Sequence, residues 1–134
     1  MESDRVVAIL DDDPMSGMML EFVIGVDGLT ARRFLIAEEF LAYVKEHRPA
    51  CILLDMDMPG MNGIDVQFRL REMGNTSPVI FVSAEADVAT ATAALNNGAS
   101  HFLPKPINPR ELLSRIRESA TLPQSQNTLT GMAR

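Results

Sequence analysis

The chain has 134 residues, 46% of them apolar, with 12 basic and 18 acidic side chains and a net charge of −6. That length suits one domain with a core of its own, and the acidic balance opposes nucleic-acid binding, which needs a basic face. The single cysteine, Cys51, excludes an internal disulfide, and with only His47 and His101 beside it there is no zinc ligand set.

The start, MESDR, is charged and does not read as a signal peptide. It leads into Val6-Val7-Ala8-Ile9-Leu10, a short β-branched apolar run that predicts a strand buried on both faces. Asp13 and Pro14 then suit the N-cap and first position of a helix. Met15, Met18, Met19, Phe22, Val23 and Val26 recur at helical spacing, and the expectation is that this stripe packs into the core. Arg32-Arg33-Phe34-Leu35 is more polar and suits an edge strand. Phe40, Leu41 and Val44 mark a second helix ending near Pro49.

Cys51-Ile52-Leu53-Leu54 is the next buried strand. Ile64, Phe68 and Leu70 mark a third helix ending at Gly74. Val79-Ile80-Phe81-Val82 is another strand, and Val88, Ala91 and Leu95 mark a fourth helix closed by Asn97-Gly98. That helix is rich in Ala and Thr and has no charge between Asp87 and Leu95. Phe102-Leu103 is a short last strand. Leu112, Leu113 and Ile116 form a fifth helix opened by Asn108-Pro109. From Thr121 the composition turns polar and aperiodic, so residues 1–120 are expected to form the domain and 121–134 a flexible tail or linker. No apolar run approaches the roughly 20 residues of a membrane span, and a cytoplasmic setting is expected.

Strand and helix therefore alternate five times. Such alternation predicts a flavodoxin-like α/β three-layer sandwich with a parallel sheet of order 2-1-3-4-5. Ligands of such sheets bind beyond the carboxyl ends of the strands where the order reverses, between strands one and three. Those two strand ends carry Asp11, Asp12 and Asp55. Like charges held close need a cation or protons, and oxygen ligands without His or Cys suit Mg²⁺, with Mn²⁺ as a substitute. Capping accounts for Asp13 but not for the other three. Ser83 and Lys105 end strands four and five on the same rim. A nucleophile, a metal site, a hydroxyl and a cation together are what aspartyl phosphorylation requires. A serine-hydrolase role for Ser83 fails for want of G-x-S-x-G and a histidine base.

The segments VVAILDDDP, CILLDMDMPGMNGID, VIFVSAEAD and GASHFLPKPI resemble the signature segments of the two-component response-regulator receiver domain, in order and with its spacing from Val6 to Ala120. The stretch D-x-x-M-P-G-M-x-G from Asp55 to Gly63, with Lys105-Pro106 downstream, is the most specific part. The resemblance implies that Asp55 takes a phosphoryl group from a sensor histidine kinase or histidine phosphotransfer protein. Asp12 would bind Mg²⁺ directly, Asp11 would support it through water, and the Asp57 carbonyl would be a further ligand. Ser83 and Phe102 would form the switch pair, Lys105 would pair with phosphoryl oxygens, and the bond before Pro106 would be cis. The fourth helix, fifth strand and fifth helix would be the output surface, for an effector or a second copy. Asp57 and Glu85 stand where the lifetime of the phosphorylated state is tuned, and Ile36 stands where a small polar cap is commoner. Two other readings compete: a haloacid-dehalogenase-type phosphatase, suggested by LLDMDMP, and a pseudo-receiver that works without phosphorylation. The first is opposed by Pro59, by acids that precede the lysine, and by the lack of room for a cap domain; the second by the presence of every site residue.

Overall fold

A computed structural model describes residues 5–56, 58, 60–84 and 88–120 of the chain. The expected sites Asp57 and Glu85, and the expected tail 121–134, lie outside the described residues. The elements run β1 (Val6–Leu10), α1 (Pro14–Val26), β2 (Thr30–Phe34), α2 (Ala37–Glu46), β3 (Cys51–Asp55), α3 (Gly63–Glu72), β4 (Val79–Ser83), α4 (Val88–Asn96), β5 (His101–Pro104) and α5 (Pro109–Ala120). All pairings are parallel and the strand order is β2-β1-β3-β4-β5, as the alternation predicts.

Every residue of β1, β3 and β4 is buried, because helices cover both faces of a parallel sheet. The strand side chains alternate between two cores. Ala8, Leu10, Ile52, Leu54 and Phe81 face Phe40 and Val44 of α2, Val66 and Leu70 of α3, and Ala94 of α4. Val7, Ile9, Leu53, Ile80 and Val82 face Leu20 and Ile24 of α1 and Leu112 and Ile116 of α5. β2 is largely exposed, as an edge strand carrying Arg32 and Arg33 should be. The pair on the second face is tied at its far end, where Arg117 donates to Asp27 from Nε to Oδ2 at 2.7 Å and from Nη2 to the carbonyl oxygen at 3.2 Å.

Of the methionine stripe of α1, Val23 packs against the core, partly buried, and the rest faces outward. Met15 and Phe22 are 73% and 71% exposed, and Met18, Met19 and Val26 are exposed too. The sheet is met instead by Gly17, Leu20 and Ile24. The helix is apolar on nearly all sides, so spacing alone allows two faces, and the one that packs on the sheet is the Leu20–Ile24 face. Phe68, Val88 and Leu95 likewise face outward.

Candidate functional site

Three strands deliver the acids and the lysine to one edge. β1 ends at Leu10, so Asp11 continues its line, buried, while Asp12 turns outward. Asp13 caps α1 by accepting from the Met15 N–H at 3.1 Å, and Pro14 takes the first helical position, where no N–H is needed. Asp55 ends β3 and is 7% exposed. One oxygen from each of Asp11, Asp12 and Asp55 lies within 4.8 Å of the others. Two oxygens on one Mg²⁺ stand about 3–4.2 Å apart, given metal–oxygen bonds of about 2.1 Å. The all-oxygen donor set fits a hard divalent cation, and a spacing of up to 4.8 Å leaves room for one of the three to act through a water.

Asp11 is heavily engaged. Its Oδ1 accepts from the Asp13 N–H at 3.0 Å. Its Oδ2 accepts from the Ser16 hydroxyl at 2.8 Å and from Lys105 Nζ at 3.0 Å. A carboxylate has about four acceptor positions, so about one remains for a metal ion or a water on it. Lys105 reaches Asp11 from just beyond β5, and the Lys105–Pro106 bond is cis. Its backbone N–H donates to the Ser83 carbonyl at 2.8 Å.

Ser83 is fully buried at the end of β4. Asp55 is in register with Val82, so Ser83 stands one step beyond it on the adjoining strand. Phe102, half-buried on β5, packs on Phe81 with ring centroids 6.2 Å apart. The turn after Asp55 is drawn in tightly: the Gly63 N–H donates to the Met56 carbonyl at 2.9 Å, and a Cβ on Gly63 would stand 2.5 Å from the Phe81 ring and 2.9 Å from the Asp55 carbonyl oxygen. Only glycine fits there, for want of space. Asn62 and Asp65 then close a reciprocal capping box. Beside Asp12 lies a hollow of about 320 Å³ lined in part by Leu35, Ile36, Met58 and Met61. Ile36 gives α2 no side-chain cap.

Three contacts were not foreseen from sequence. Ser16 is the third residue of α1, and a side chain there leans back toward the strand that precedes the helix; the register alone could have flagged it. Gln67 and Arg71 of α3 donate to carbonyls at the carboxyl end of α4. Gln67 Nε2 reaches Ala94 at 3.3 Å and Asn97 at 3.1 Å, and Arg71 Nη2 reaches the same Asn97 carbonyl. Nothing in a pattern of spacing links those helices.

Comparison with known proteins places these features. The family model described as response regulator receiver domain matches residues 7–117. The chain is 38% identical over 128 residues to the response regulator protein TodT of Pseudomonas putida, covering 94% of this chain and 56% of that one. It is 34% identical over 111 residues to the DNA-binding response regulator MtrA of Mycolicibacterium smegmatis, covering 83% and 48%. A response regulator receiver protein from Burkholderia phymatum matches in structure with a TM-score of 0.79 and 32% identity, over 90% of this chain and 98% of that one. The chain spans about half the length of the curated relatives it matches.

Proposed function

The chain belongs to the response regulator receiver domain family, and on that premise we propose that it accepts a phosphoryl group on Asp55 from a phosphohistidine of a sensor histidine kinase or histidine phosphotransfer protein, in a Mg²⁺-dependent reaction. Receiver domains are signalling modules, and the only chemistry proposed for this one is its own phosphorylation and dephosphorylation. The observation that carries the reading is the meeting of Asp11, Asp12 and Asp55 within 4.8 Å, with Lys105 bonded into the same cluster.

In the proposed transfer, an Asp55 carboxylate oxygen forms a bond to phosphorus as the phosphorus–nitrogen bond of the donor breaks. The electron pair returns to the imidazole nitrogen. Asp12 and Asp55, with Asp11 behind them, would hold Mg²⁺, which would supply neutralisation of charge on the transferring oxygens. Lys105 adds its cation from the β5 side. Mn²⁺ suits the same oxygen set. The roles of Ser83 and Phe102 as the switch pair, and of Asp57 and Glu85 in setting the lifetime, stand as proposals on the resemblance.

A donor protein must bring its phosphohistidine to the rim. The exposed face of α1, with Met15, Met18, Met19 and Phe22, begins beside Asp12 and Asp13, which supports α1 as its seat. The acyl phosphate carries about −1.5 to −2 charges where the carboxylate carried one, so up to about one negative charge is gained beside Ser83. We place the response at α4, β5 and α5, where Val88 and Leu95 are exposed for contact with an effector or a second copy. No DNA contact is assigned to this domain, whose net charge is −6; a DNA-binding output like that in MtrA's name would belong to a further segment. Among the described residues no helix is long and apolar enough to cross a membrane.

Intact mass after incubation with acetyl phosphate tests the reading. A single phosphoryl adduct that requires Mg²⁺ and is absent in Asp55→Asn is expected. Absence of any adduct on the unmodified chain would overturn it.

A further inference from the structure

Among the described residues, the hydroxyl of Ser16 is the one neutral donor on the buried Asp11 oxygen that Lys105 also holds. Ser16 Oγ and Lys105 Nζ stand 2.8 and 3.0 Å from the same Asp11 Oδ2, and Asp11 is only 2% exposed. The two donors come from opposite ends of the chain, 5 and 94 residues away. They also differ in what can move them. Ser16 is fixed in the first turn of α1, behind the Asp13 cap and Pro14. Lys105 is a flexible cation, 21% exposed, and a new dianionic group on Asp55 would draw it away.

We infer that Ser16 is a positioning residue for phosphoryl transfer: its hydroxyl keeps the Asp11 carboxylate seated when Lys105 leaves it for the phosphoryl group. This rests on the phosphoacceptor reading above. The physical need is plain. A buried carboxylate oxygen that loses its last partner bears a desolvation penalty, and the carboxylate would turn away from the cluster in search of another donor. With Ser16 in place, Oδ2 keeps one hydrogen bond and Oδ1 keeps the one from the Asp13 N–H. The carboxylate therefore holds its orientation while the lysine changes partner. Ser16 touches neither the phosphoryl group nor the metal in this account; it acts through Asp11.

The test uses the full chain and two readouts. Phosphorylation by acetyl phosphate with Mg²⁺ is followed by intact mass in the unmodified protein, Ser16→Ala and Ser16→Thr. Ser16→Ala is expected to slow adduct formation about tenfold, and Ser16→Thr, which keeps the hydroxyl, to recover most of the loss. Thermal midpoints without Mg²⁺ or phosphodonor are then measured for Ser16→Ala alone, Lys105→Met alone and the two together. Ser16→Ala is expected to lower the midpoint more in the Lys105→Met background, where the serine is the last side-chain donor on Oδ2. A residue that merely packs would cost the same in both backgrounds. Equal decrements, or an unchanged rate in Ser16→Ala, would overturn the inference while the adduct on the unmodified chain left the phosphoacceptor reading standing. No adduct on the unmodified chain would overturn that reading and this inference with it.

Discussion

The acidic rim stands at the carboxyl edge of the sheet and helix α4 packs on one of its faces through Ala94, yet they are held in opposite ways. At the rim, Asp11 and Asp55 extend strands that are buried along their whole length. Three donors fix Asp11, and Gly63 packs α3 directly onto the turn after Asp55. In α4 only Ala94 is buried. Among the described residues, its carboxyl end is tied to the body. There Gly98 takes the left-handed conformation at φ 104°, the Ala99 N–H returns to the Ala94 carbonyl at 3.1 Å, and Gln67 and Arg71 reach across from α3. The difference teaches where a charge change can be felt. If a phosphoryl group arrives at the rim as proposed, the element with less packing to lose is the one expected to respond.

Truncation on the two sides should show the largest contrast. Leu54, just before Asp55, is fully buried in β3, whereas Leu95 of α4 is 45% exposed. Leu54→Ala is expected to cost about 2–5 kcal/mol, the range for a large-to-small change in a packed core. Leu95→Ala should stay within about 0.5 kcal/mol, as for a surface change. Urea unfolding of both variants decides it. A large loss in Leu95→Ala would mean that α4 is as firmly integrated as the rim, and the comparison would break.

The burial that fixes β3 also governs Cys51, at its first position. Removal from water, opposed weakly by a hydrogen bond from the Ile52 backbone, pushes its thiol from 9.0 up to about 12. The folded chain thus holds a proton that the unfolded chain releases above pH 9. Stability is unaffected below that pH and should fall by about 1.4 kcal/mol per unit between pH 9 and 12. Cys51→Ala should flatten that part of the profile. A thiol reagent at pH 8 should modify Cys51 only on unfolding; rapid labelling of the native chain would show β3 to be open, against the rigidity assigned to it.

Much of this frame was legible in the sequence, because short β-branched runs and turn residues are local signals. The strand order followed from alternation, and Asp11, Asp12, Asp55 and Lys105 were placed on one rim because each ends a strand. The α1 face was not legible. A helix apolar all round offers two stripes of equal spacing, and the choice between them lies in the tertiary packing of Leu20 and Ile24 on the sheet, which spacing does not report. Ser16 was hidden in that same stripe. The α3–α4 contacts are side chain to backbone across 26 to 30 residues, and no periodicity reports such a bond.

Those contacts give the smallest effect and the sharpest one. Gln67 is buried, donates to Ala94 and Asn97, and leaves its Oε1 without a hydrogen-bond partner. Gln67→Leu removes two donors and also the unpartnered oxygen, so the two changes oppose each other and global stability should move by less than about 1 kcal/mol. The local consequence should still appear at the carboxyl end of α4. Exchange of the Gly98 and Ala99 amides, which donate to Leu95 and Ala94, should quicken, while exchange of the β3 amides keeps its rate. Equal acceleration in both places would mean that α4 opens only when the whole domain does. Acceleration confined to α4 would mean that its tie to α3 is a separate, weaker unit, held largely by Gln67 and Arg71, and therefore the part of the domain that a phosphoryl group could most cheaply rearrange.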